Sequence, residues 1–167
     1  MGTKTHSGKA TVTLPTDTQI LIVREFDAPK HLVYRAYTEP DLIEQWWSGK
    51  RGVVTSAEVD LRVGGTWRYV MTANEGFEVA FHGRFREIVA DERLVTTEIF
   101  EGAPVENEET DGALVTVTFE EIDGRTTLTT VMELPSRDVR DMIVETGMEE
   151  GMQEAFDRLE QVAASIA

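Results

Sequence analysis

Over 139–166, apolar residues recur at steps of three and four, and no proline interrupts them. Val139, Met142, Ile143, Met148, Met152, Ala155, Phe156, Leu159, Val162, Ala163 and Ile166 make one stripe. Such a period is that of an amphipathic helix. About 30 residues at 1.5 Å each predict a helix of roughly 45 Å, opened by Ser136 as its N-cap. Much of the chain before it follows a different period. Trp67, Tyr69 and Met71 alternate with polar neighbours, as do Phe77, Val79, Phe81, Gly83 and Phe85, and then Val115, Val117 and Phe119. Alternation of this kind belongs to strands with one covered face. A long apolar helix stripe and a set of one-sided strands have to bury each other, which predicts an α+β domain with the helix against a curved antiparallel sheet.

The strands are delimited by turn chemistry. Segments 19–26, 53–60, 66–72, 77–89, 93–100, 113–121 and 125–133 are separated by Gly64-Gly65, Asn74-Glu75-Gly76, Asp91-Glu92, an acidic loop over 101–111, and Asp123-Gly124. Asp-Gly between alternating runs is a strong hairpin signal. Between the first of these strands and the second, Asp27-Ala28-Pro29 reads as a helix entry with Asp27 as cap. A second short helix is expected from Asp41 to about Trp47. Residues 1–16 read as a loose lead-in with a strand only near Val12–Leu14, and 17–167 as one domain.

With 167 residues, the chain is long enough to bury roughly 70% of its unfolded surface without covalent staples. It has no cysteine, so disulfides, thiolate chemistry and Cys-ligated metals are excluded. Net charge is −15, from 31 acidic against 16 basic residues, a field that repels phosphate backbones and argues against nucleic acid. Neither a signal-peptide run nor a membrane-length apolar run is seen, so a cytoplasmic protein without integral membrane association is expected, monomeric or homodimeric. His6, His31 and His82 lack ligand spacing, and no metal or other cofactor is expected.

Four stretches carry a resemblance: REFDAPKHLVYRAYTEPDLIEQWW, DLRVGGTWRYVM, FHGRFREIVADERLV and TGMEEGMQEAFDRLE. In that order they resemble the bacterial homologues of the activator of the heat-shock-protein-90 ATPase, within the START-like and Bet v 1-like superfamily. The resemblance spans about 17–165. It implies a helix-grip fold, with about seven strands wrapped around the C-terminal helix, two short helices after the first strand, and a cavity between sheet and helix. It does not by itself fix an activity.

Candidate site residues follow from the inward faces. Trp47, Trp67, Tyr69, Phe81, Phe85, Phe119, Met148, Met152 and Phe156 are expected to face one another, with adaptable Met side chains opposite large rings. Gly147 and Gly151 lie four apart in the helix and are expected to shape that space. Glu98 and Tyr69 are the weak catalytic candidates. Strand 93–100 can face inward with Leu94, Thr96, Glu98 and Phe100, or with Val95, Thr97 and Ile99. The cost of burying an unpaired carboxylate favours the second, with Glu98 in solvent. The leading expectation is therefore binding of a small hydrophobic or amphipathic molecule. The alternatives are a cyclase, dehydrase or hydrolase acting in the same cavity, and a chaperone-associated protein using its acidic surface.

Overall fold

A computed structural model describes residues 8–102, 105–108 and 110–167. Its strands are β1 (Thr11–Thr13), β2 (Gln19–Phe26), β3 (Gly52–Val59), β4 (Thr66–Ala73), β5 (Glu78–Val89), β6 (Arg93–Phe100), β7 (Ala113–Ile122) and β8 (Arg125–Glu133). The helices are α1 (Lys30–Thr38), α2 (Pro40–Ile43), α3 (Arg137–Glu145) and α4 (Met148–Ser165). The strands form one antiparallel sheet in the order β1-β2-β8-β7-β6-β5-β4-β3. The expected helix-grip architecture is therefore observed, and β1 adds an eighth strand beside β2 through Thr11↔Val23. No helix of the described residues is long and apolar enough to cross a membrane.

Three local expectations are corrected. Asp27 does not cap α1: Pro29 stands at the N-cap position without a side-chain bond. The Lys30 N–H instead donates to the Glu121 carboxylate of β7 at 2.8 Å. A long-range partner has replaced the local one. Past Pro40, α2 ends at Ile43 and the chain continues in turns to Lys50 rather than as helix to Trp47. Those turns hold because the Trp46 indole N–H donates to the Ala36 carbonyl at 2.8 Å.

The third correction is the largest. The stripe over 139–166 is not one helix. Ser136 caps α3 as expected, its hydroxyl accepting from the Val139 N–H at 3.2 Å. At Gly147 the backbone then turns left-handed, φ +81°, and α4 begins. A residue without Cβ adopts that conformation at no steric cost, so this glycine breaks the helix rather than weakening it. The periodicity passes through the break because both segments turn apolar faces toward the sheet.

The core has a sealed end. Along α4, Phe156, Leu159, Val162 and Ala163 are buried, and Leu159 and Ala163 expose nothing. Phe156 meets Phe26 edge-on at 5.6 Å and Trp46 at 6.5 Å. Phe119 receives Tyr34 and Tyr37 edge-on at 5.4 and 5.7 Å. Arg24 is also buried here, its guanidinium 4.9 Å from the Phe26 ring centroid and paired with Asp157 at 2.9 Å and Glu160 at 3.5 Å of α4. A buried cation is tolerable only when paired in this way.

Candidate functional site

The other end of the sheet is less tightly closed. Tyr69 of β4 and Phe81 of β5 are direct partners, as are Phe81 and Phe100 of β6, so their side chains share the inner face. Trp47, from the turns after α2, meets Tyr69 at 5.5 Å and Phe81 at 5.6 Å. Trp67 meets Tyr69 at 4.7 Å, and Phe81 meets Phe100 at 5.2 Å. Trp47, Tyr69 and Phe81 are only half-buried, as are Met148 and Met152 at the start of α4. The helix α3 runs from the end of β8 to Gly147, beside Arg51, packing Val139, Ile143 and Val144 half-buried against the core while Met142 stays 62% exposed.

The ladder settles the face of Glu98, and it corrects the solvated expectation. Glu98 pairs with Ala113, and Leu94 with Val117, both core residues of β7. Residues opposite each other in an antiparallel pair point to the same side, so Glu98 faces inward with Leu94, Thr96 and Phe100. On its other flank, the pairs Phe81↔Phe100 and Phe85↔Thr96 bring Gly83 across from Glu98. A side chain at Gly83 would collide with the Thr97 carbonyl and the Trp67 indole. The Trp67 N–H donates to that carbonyl at 3.2 Å. The neighbours of Glu98 on both strands are thus small, and the indole edge lies beside it.

Burial pushes the Glu98 carboxyl up to about 7, with no cation to offset it. Two phenols share its surroundings. Burial first, then the charge of Glu98, drives the Tyr37 hydroxyl far above the ordinary phenol range. Tyr69 is raised likewise by burial, then by Tyr37 and Glu98. All three side chains are half-buried. Sequence reasoning missed Tyr37. It lies three positions after Tyr34 on α1, which marks a buried stripe but not that it meets β6.

The other expected residues divide between the two ends. Trp67 and Phe85 are buried near the half-open end, and Phe119 and Phe156 belong to the sealed end. The space left by Gly151 is taken by Arg51, whose Nε would be 3.1 Å from an added Cβ; Arg51 also donates to the Gly147 carbonyl at 3.3 Å. Phe77 precedes β5 and is 58% exposed. His6 lies outside the described residues.

On the outer face of the sheet, a surface cleft of about 340 Å³ is lined by Glu58, Arg68, His82, Arg84 and Glu108 among others. Its charges are largely spoken for. Arg68 holds Glu101 in a two-pronged bond at 2.8 and 2.9 Å, and His82 bridges Glu101 at 2.8 Å and Glu108 at 3.2 Å. The hydrogen bond from Arg68, aided by that from His82, holds the Glu101 carboxyl down at about 2. This cluster ties the chain after β6 to the sheet.

Residues 27–164 match the family model described as Activator of Hsp90 ATPase homolog 1-like protein. The chain belongs to this family. Solved structures agree with the assignment. A protein from Rhodobacter sphaeroides is 23% identical over 94% of this chain and 99% of its own, with a TM-score of 0.85. One from Arthrobacter aurescens is 29% identical over 93% and 91%, TM-score 0.80. An AHSA1-like protein from Aeromonas hydrophila is 22% identical over 87% and 93%, TM-score 0.62. No curated protein matches the sequence. The family thus brings the START and Bet v 1-like fold, while the chemistry of this member has to be read from its own interior.

Proposed function

We propose that this protein binds a small amphipathic molecule between the half-open end of the sheet and the α3–α4 segment. The observation that carries this reading is Glu98: an inward carboxylate with no ion pair among the described residues, beside two half-buried tyrosines and other half-buried rings. A group of that kind is costly in an interior whose only task is packing. It fits a site in which apolar walls hold a ligand's body and a few polar groups orient its head. Trp47, Phe81, Met148 and Met152 would hold the body, and Glu98, Tyr37 and Tyr69 the head. Native mass spectrometry of the purified chain, with titration of an uncharged fluorescent dye, tests this. Uptake of the dye, displaced by a co-purifying small molecule, is expected. No dye uptake and no bound molecule would overturn it.

A second reading rests on the same carboxyl. A group poised near 7 can both give and take a proton at neutral pH, as a general acid or base must. An enzyme of the cyclase, dehydrase or hydrolase kind would use Glu98 in this way, with the Tyr69 hydroxyl donating a hydrogen bond to a carbonyl oxygen. Incorporation of solvent deuterium beside the carbonyl of a bound ketone, abolished in Glu98→Gln, is the expected signature. Bound ketone that exchanges no faster than in buffer would remove this reading. The chaperone-linked activity in the family's name finds no support in this site.

A further inference from the structure

We propose that the head group taken by this interior is the ammonium of a hydrophobic primary amine, held by Glu98, Tyr37 and Tyr69 as its three acceptors. The inference rests on the ligand-binding reading above and narrows it to one chemical class.

The charge balance of the site is the first reason. Among the described residues no Lys, Arg or His pairs with Glu98, and burial is what disfavours its ionised form. An incoming cation supplies the missing counter-charge. An alcohol or carbonyl does not, and an acid would be repelled. Donor and acceptor numbers are the second reason. An ammonium offers three N–H donors and no acceptor. The carboxylate and the two phenol oxygens give it three acceptors: Glu98 and Tyr69 share the inner face of the sheet through the pairs Trp67↔Gly83 and Phe81↔Phe100, and Tyr37 packs over that face at 5.7 Å from Phe119.

The walls are the third reason. Trp47, Trp67 and Tyr69 stand with ring centroids 4.7 to 5.5 Å apart in successive contacts. Aromatic faces attract a desolvated cation through their quadrupoles. Phe81, Met148 and Met152, each half-buried against the core, offer apolar surface to the remainder of the molecule. Outside the site, a net charge of −15 raises the local concentration of cations and lowers that of anions.

The experiment compares n-decylamine with 1-decanol, each below its micellar concentration, as competitors of the uncharged dye N-phenyl-1-naphthylamine on the full chain at pH 8. The amine is expected to displace the dye at least about tenfold more tightly than the alcohol, the scale of one charge-assisted hydrogen bond. In Glu98→Gln the preference of amine over alcohol is expected to disappear. Tyr69→Phe, which keeps the ring and removes one acceptor, is expected to weaken the amine severalfold more than the alcohol. It serves as the test if the first variant does not fold. A wild-type preference below about tenfold, with decanol still displacing the dye, would overturn the amine inference and leave ligand binding standing. A preference surviving intact in either variant would assign it to surface charge and overturn it too. A chain that takes up neither dye nor competitor would overturn both.

Discussion

The two ends of the sheet use the same kinds of side chain for different ends. At the sealed end Phe26 meets Phe156, and Phe119 meets Tyr34 and Tyr37, edge to face, and the buried charge of Arg24 is matched by two carboxylates of α4. At the half-open end Trp47 meets Tyr69 and Phe81 edge to face, yet each keeps accessible surface, and among the described residues no cation pairs with the inward Glu98. Ring contacts alone therefore do not distinguish a core from a site. The state of the charge does: Arg24 is paired, and among the described residues Glu98 has no ion pair.

Truncation should separate the ends most strongly. Phe156→Ala is expected to cost about 4 kcal/mol, because α4 and its neighbours can only partly close the void. Trp47→Ala, removing a half-buried ring, is expected to cost about 1.5 kcal/mol while abolishing dye uptake. Urea denaturation of both variants checks this, and equal losses would erase the distinction.

The unmatched charge gives the next effect. The folded carboxyl of Glu98 holds its proton up to about 7, whereas the unfolded one releases it near 4.5. Between those values the native state binds more protons, so its stability falls as pH rises through the window and levels off above it. Glu98→Gln should therefore stabilise the protein by roughly 2 kcal/mol at pH 8 and leave it nearly unchanged at pH 4, as read from denaturation midpoints across pH. Removing the opposite kind of carboxylate has the opposite sign.

Gly147→Ala is expected to cost about 1 kcal/mol, since a side chain is placed at φ +81°. Its effect should be seen first as faster amide hydrogen exchange in α3, the covering segment, with α4 beyond its first turn unaffected. Smallest of all, Glu101→Gln is expected to cost about 0.5 kcal/mol at pH 7, because its bonds to Arg68 and His82 are partly exposed. This contribution is present above about 4.5 and is lost as pH falls toward 2. Thermal melts of variant and wild type should converge in that acid range.

Much of this was legible in the chain itself. Alternation located the seven longer strands to within a residue or two, Asp123-Gly124 marked its hairpin, and Ser136 its cap. Most of the residues now seen around the half-open end were among the inward candidates. The failures are of one kind. Asp27 was a sound local cap until Glu121 arrived from β7, and Glu98 was best left in solvent until the ladder paired it with Ala113. Gly147 was a weak point in a helix until both flanking segments had found the sheet.

Period and turn chemistry, which act between near neighbours along the chain, determined by themselves that this protein is a curved sheet under a C-terminal helical segment. The register of β6 against β7, the break at Gly147 and the meeting of Tyr37 with Glu98 were decided only in three dimensions. A strand with Leu94 on one face and Val95 on the other is apolar either way, and its own sequence is indifferent to which side holds the carboxylate. Only pairing with neighbours whose inner faces were already committed could choose, and that choice turned the Glu98 carboxylate inward.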